Sequence, residues 1–160
     1  MGNYNMQRLE LLIPPPIVAA VVALLMWLSH LYWPLFAWSM SVSGQFLLMG
    51  LLVLLAVIFG VGALLRFRTL HTTADPRNPH RTQQLAITGV YAYSRNPMYL
   101  GVYFLLLCWA IYLTNWAALV LSLLFVGFIT RFQIIPEERV LQKKFGASYQ
   151  HYCEKVRRWI

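Results

Sequence analysis

With 160 residues the chain has room for one domain and about four membrane crossings of ~20 residues each. It is 59% hydrophobic and only 11% charged, against roughly 25% charged in a soluble domain, which excludes an ordinary soluble globule. The formal charge of +8 does not point to nucleic acid, because the basic residues alternate with apolar stretches and form no basic domain of their own. Attraction to anionic lipid headgroups and orientation in a bilayer account for it.

The charged residues fall in three places: the first ten residues, residues 66–95 and residues 131–158. Between them lie two stretches free of Asp, Glu, Lys and Arg, Leu11–Leu65 and Asn96–Thr130. A charge at the bilayer centre costs several kcal/mol, so this sorting is the mark of lipid. The first apolar run follows Pro14, Pro15 and Pro16 and continues into Trp27, Tyr32 and Trp33. It lacks a small-residue cleavage site and reads as a retained first span over about 17–36, with Tyr32, Trp33 and Trp38 as an interfacial aromatic belt. A second span is expected over about 45–65, ending at Arg66 and Arg68.

The segment 66–97 is the one long polar loop, and long irregular loops in small proteins are usually functional. Spans three and four form a hairpin, about 98–113 and 116–135, turned by Thr114 and Asn115. Pro136 is expected to break or kink the chain ahead of Glu137 and Glu138. In the tail, Leu141, Phe145, Tyr149, Tyr152, Val156 and Trp159 are spaced 4, 4, 3, 4 and 3, which is one helical face. The spacing predicts an amphipathic helix over 137–158, with Lys143, Lys144, Lys155, Arg157 and Arg158 turned to headgroups. The two short links, 37–44 and 114–115, contain no Lys or Arg, so the positive-inside rule places both termini and the long loop in the cytoplasm, as in a bacterial-type inner membrane. The expected fold is thus a single all-α integral membrane domain over 1–160, with about four transmembrane helices and a C-terminal amphipathic cytoplasmic helix.

Three clusters on the cytoplasmic side can bear chemistry. The first is the loop with Thr72, Thr73 and Asp75, followed by Gln83 and Gln84; His71 and His80 there lack metal-ligand spacing and read as solvated. The second runs from Thr88 through Gly89, Tyr91, Arg95, Asn96, Pro97 and Tyr99 to Gly101. It is a turn feeding a helix, where open N–H groups and a neighbouring Arg make a receptor for a carboxylate. Gly101, one turn in, leaves space for something flat; equally, Arg95 can mark only a membrane boundary, with the tyrosines as belt residues. The third is Arg131 with Glu137 and Glu138. Nothing charged precedes Arg131 for 35 residues. The carboxylate pair is either a helix cap salt-bridged to Arg131 and Arg139, or a site where one carboxylate binds a cationic ligand while Arg131 orients a second substrate. Cys108 and Cys153 offer neither a disulfide framework nor enough ligands for a metal.

Together these segments resemble the superfamily of isoprenylcysteine carboxyl methyltransferases and phospholipid methyltransferases. Residues 85–101, LAITGVYAYSRNPMYLG, are similar to its LVTSGxYxxxRHPxYxG signature. Glu137, Glu138 and Leu141, then Phe145, Gly146, Tyr149 and Tyr152, are similar to its EExxLxxxFGxxYxxY tail. The resemblance covers about residues 66–160. It implies S-adenosylmethionine as methyl donor, held without a Rossmann fold by Gln83, Gly89, Tyr91, Arg95, Asn96, Pro97, Tyr99, Gly101 and Glu138. It implies that Glu137 and Arg131 are catalytic, facing a lipophilic or small-molecule acceptor among membrane lipids, with no metal and no nucleic acid. Asn96 stands where many members have His, and Gln83 where prenylcysteine enzymes have a cofactor-contacting His. Both departures count against a prenylcysteine acceptor more than against the cofactor. Membrane sterol reductases look similar in their C-terminal half, but a dinucleotide needs more aqueous surface than one loop and one tail helix provide. A non-enzymatic scaffold or transport subunit, with the Arg and Glu residues as structural pairs, is the third reading.

Overall fold

The computed structural model describes residues 10–69 and 84–160. Four apolar helices make the bundle: α1 over Pro15–Tyr32, α2 over Val42–Thr69, α3 over Pro97–Leu113 and α4 over Trp116–Ile129. A π-helical turn, Thr130–Ile134, joins α4 without interruption to α5, Ile135–Phe145, and α6 follows over Ala147–Lys155. Short 3₁₀ turns lie at Pro34–Phe36 and Gly89–Ala92. There is no strand among the described residues, only an isolated bridge between Ala37 and Asn115.

Three helices are long and apolar enough to cross a bilayer, Pro15–Tyr32, Val42–Arg66 and Trp116–Phe145. The fourth apolar helix, α3, has 17 residues, or about 25 Å of rise. Only 17% of the apolar window of α2 is buried inside the protein. Its remaining Leu, Val and Ile surface is what lipid covers. The protein is therefore an integral membrane protein.

Helix α2 packs against α3, and α1 against α4. The core between α1, α3 and α4 is built on Val22, Met26, Leu106, Ala110, Phe125 and Ile129. The α2–α3 seam is closer. A Cβ on Gly101 would stand 2.9 Å from the Gly60 nitrogen and 3.0 Å from the Ala56 carbonyl, so the two backbones touch where neither residue has a side chain. At the end away from the charges, Asn115 caps α4 by accepting from the Ala118 amide, and its Nδ2 donates to the Trp33 carbonyl. The Trp38 amide donates to the Thr114 carbonyl. The two uncharged links are thus stitched together.

Two features depart from the reading of the sequence. Pro136 does not break the helix: a π turn precedes it, with the Ile135 amide reaching back to the Thr130 carbonyl, and the Leu11 amide supplies the Phe132 carbonyl that Pro136, having no N–H, leaves open. And the tail is not one helix over 137–158. Gly146 adopts φ +53° and ψ −123°, which breaks it into α5 and α6, and the chain leaves helical geometry at Val156. The tail then folds back on the protein: Tyr149, Tyr152 and Val156 are buried with Leu85, Leu141, Phe145 and Cys153.

Candidate functional site

The site is assembled at the N-terminal end of α3. Gly89 opens the approach with φ +68°, a left-handed conformation that a side chain would strain. The 3₁₀ turn that follows buries Tyr91 against Ala63 near the end of α2 and against Ala86. Its neighbour Val90 fills the notch at Gly62, where an added Cβ would come within 2.9 Å of Val90. Pro97 starts α3 at a position where its absent N–H costs nothing. Arg95 and Asn96 are thereby held just outside the helix, and Tyr99 just inside it.

The C-terminal segment fixes this turn from the other side. The Arg95 amide donates to the Arg157 carbonyl at 3.0 Å. Asn96 Nδ2 donates to the Arg158 carbonyl at 2.9 Å, with Ser94 Oγ donating to the same oxygen at 3.4 Å. The Tyr152 hydroxyl donates to the Tyr91 carbonyl at 2.6 Å. Burial pushes the Tyr149 and Tyr152 phenols above their ordinary values, so both stay protonated donors. Trp159 closes the strap, its indole N–H donating to Thr130 Oγ1 in the π turn at 3.1 Å and its ring meeting Tyr103 edge-on.

Charge converges here on Glu138. Arg95 Nη2 lies 3.2 Å from Glu138 Oε1. Arg158 grips the same carboxylate with both arms of its fork, Nε to Oε1 at 3.1 Å and Nη2 to Oε2 at 2.7 Å. That hydrogen-bonded pairing holds the Arg158 pKa above its ordinary value. The other arm of Arg95 contacts Cys153 Sγ. Glu137, one residue earlier, accepts from the Tyr99 hydroxyl at 2.5 Å. The arrangement is a carboxylate flanked by two guanidinium groups, with a second carboxylate on a phenol beside it.

The sequence-predicted residues divide accordingly. Tyr91, Arg95, Asn96, Pro97, Tyr99, Glu137 and Glu138 lie at this junction, with Gly89 on the turn leading into it. Gln83, along with His71, His80 and the Thr72–Asp75 segment, lies outside the described residues. The space beside Gly101 is taken by Gly60 and Ala56 of α2. Arg131 goes elsewhere: its Nη1 donates to Glu10 Oε1 at 2.9 Å, and Arg139 Nη2 reaches the same oxygen at 2.8 Å. The helix cap imagined between Glu137–Glu138 and Arg131–Arg139 therefore does not form; each group has a partner from another part of the chain. The residues that sequence reasoning missed are Arg158, Trp159, Thr130 and Glu10. Reading the tail as one uninterrupted helix assigned Arg158 to headgroups, and Gly146 after Phe145 was the signal of the break.

Comparison with known proteins agrees with this architecture. Residues 45–148 match the family model described as phospholipid methyltransferase. The chain is 36% identical over 87 residues to the protein-S-isoprenylcysteine O-methyltransferase of Schizosaccharomyces pombe, over 54% of this chain and 36% of that protein. It is 43% identical over 63 residues to an uncharacterized protein of Haemophilus influenzae, over 39% of this chain and 100% of that protein. No solved structure matches it significantly. The family match takes in α2, α3, α4 and α5, with Arg95, Glu137 and Glu138 inside it, and on that ground the chain belongs to the phospholipid methyltransferase family of membrane methyltransferases.

Proposed function

We propose that the protein transfers a methyl group from S-adenosylmethionine to a lipophilic or small acceptor at the cytoplasmic face of the membrane. The observation that carries this reading is the meeting of two motifs that a whole helical hairpin separates. Arg95 of the first lies 3.2 Å from Glu138 of the second, and Tyr99 of the first bonds Glu137 of the second at 2.5 Å.

The donor set fits such a cofactor. Its amino-acid end is a zwitterion, and the site offers an anion, Glu138, with cations beside it. When bound, the cofactor supplies an electrophilic methyl group on a sulfonium. The chain then has to bind, orient and exclude water. Glu138 receives a cationic group; Arg95, tied through its amide to the Arg157 carbonyl, keeps that carboxylate aimed. Glu137, steadied by the Tyr99 hydroxyl, is placed to take a proton from an amine or thiol acceptor. Arg131 orients a carboxylate acceptor only by giving up Glu10. A soluble donor approaches from the aqueous side and a lipid-borne acceptor laterally from the bilayer, so a site at the boundary serves both phases. The one-sided distribution of all 13 basic residues supports the cytoplasmic orientation.

The test is calorimetric titration of the detergent-purified protein with S-adenosylmethionine, S-adenosylhomocysteine and NADPH, repeated on a folded Glu138→Gln variant. Saturable binding of both adenosyl ligands, lost in the variant, is expected. Binding of NADPH alone would establish a reductase instead, and silence from all three a scaffold.

A further inference from the structure

Glu138 holds more positive charge than one carboxylate needs. Arg95 reaches it with one nitrogen, while Arg158 takes both oxygens in the bidentate geometry that suits a guanidinium and a carboxylate. Arg158 belongs to neither motif and lies beyond the end of α6. Its backbone is nevertheless fixed, since the Arg157 and Arg158 carbonyls are held by Arg95 and Asn96 and the next residue, Trp159, by Thr130. Its side chain is not enclosed, being 37% exposed. The guanidinium can therefore turn away from Glu138 while the strap stays in place.

We propose that Arg158 is a further ligand-binding residue, and that the Glu138–Arg158 pair occupies the place of the amino-acid end of the ligand. On binding, the ligand's ammonium takes Glu138, its carboxylate takes Arg158, and Arg95 remains on Glu138. This rests on the adenosyl-cofactor reading and deepens it. The exchange replaces one internal ion pair by two intermolecular ones and leaves no charge uncompensated, which matters because an unpaired charge in a partly buried site is costly. A ligand with the ammonium but no carboxylate would open the pair and leave Arg158 unsatisfied. Arg158 thus selects for the whole α-amino acid group, a role that neither motif predicts.

The experiment compares S-adenosylhomocysteine with its decarboxylated analogue, which keeps the adenosine, thioether and amine. Both are titrated into the full-length protein in detergent and into Arg158→Gln and Arg158→Lys. In Arg158→Gln, the preference of the site for S-adenosylhomocysteine over the decarboxylated analogue should fall at least about tenfold, the size of one lost charge-assisted hydrogen bond. The decarboxylated analogue should bind more tightly than to the wild type, because Glu138 no longer has to be released. Arg158→Lys keeps the cation without the fork and should show the same pair of signs at smaller size, so it serves if the Gln variant does not fold. Equal weakening of both ligands means that Arg158 only supports the structure, and equal tightening of both means that it only blocks the site. Either result, or no change, overturns the proposal. Failure of the wild type itself to bind S-adenosylhomocysteine overturns the cofactor reading, and the proposal with it.

Discussion

Tyr99 and Glu137, 38 positions apart, are joined by a 2.5 Å hydrogen bond from the phenol to carboxylate Oε1. Tyr99 lies in the first turn of α3 and is 7% exposed, so its hydroxyl is aimed by packing. Glu137 lies in the first turn of α5, directly after the π turn. The bond ties together the two sequence motifs on which the methyltransferase reading rests.

Removing that hydroxyl tests whether Glu137 is positioned for chemistry. In Tyr99→Phe, methyl transfer to an amine or thiol acceptor should fall about tenfold in kcat, the equivalent of roughly 1.4 kcal/mol from one lost hydrogen bond. Binding of S-adenosylhomocysteine should change little. A variant that loses ligand affinity with kcat intact would place Tyr99 in the cofactor site instead.

The α2–α3 seam makes a paired prediction. Gly101→Ala forces a methyl against the Gly60 nitrogen at 2.9 Å and the Ala56 carbonyl at 3.0 Å, both backbone atoms that cannot step aside. Overpacking of this kind costs about 1–3 kcal/mol. Gly127→Ala, on α4 with nothing within 4 Å of the added carbon, should stay within about 0.5 kcal/mol of the wild type. Thermal unfolding in detergent, followed by circular dichroism, compares them. Equal effects from the two would mean that the helices do not meet at Gly101.

Glu10 predicts an acid dependence. Burial alone would raise its pKa, but hydrogen bonds from Arg131 and Arg139, with their charges, hold it below the usual 4.5. A carboxylate with a lowered folded-state pKa contributes stability that is present above the unfolded value and lost as pH falls through the folded one. Thermal stability should therefore decline below about pH 4.5. Glu10→Gln should remove part of that decline and cost up to about 1 kcal/mol at neutral pH, since Arg131 and Arg139 are half exposed. An unchanged melting profile between pH 3 and 7, roughly the range over which the linkage acts, would show that the pair contributes nothing.

Pro136 and Leu11 are linked in the same region. Proline has no N–H for the Phe132 carbonyl four residues back, and the Leu11 amide donates to that oxygen at 2.9 Å. Gln133 Nε2 donates to the Ile13 carbonyl at 2.7 Å beside it. Pro136→Ala restores a competing donor on the helix itself. Amide exchange at Leu11 should then quicken, with α4 unchanged. Exchange as slow as in the wild type would mean that Leu11 is held by something other than this carbonyl.

The class of protein, the apolar helices and the two motifs could be read from the order of residues alone, because lipid sorts charge along the chain and glycine and proline mark where helices start and turn. The ends of the hairpin at Pro97 and at Thr114–Asn115 were legible for that reason. Which carboxylate meets which guanidinium was not. Arg131, Glu137, Glu138 and Arg139 are neighbours in sequence, yet their partners come from Glu10, Tyr99, Arg95 and Arg158. Helical periodicity reports one face of one helix and carries no information about where a strap such as Val156–Trp159 returns. That return is a matter of packing in three dimensions: the break at Gly146 turns the tail back over the start of α3, where open N–H donors and a charged cluster need partners that no single helix can supply.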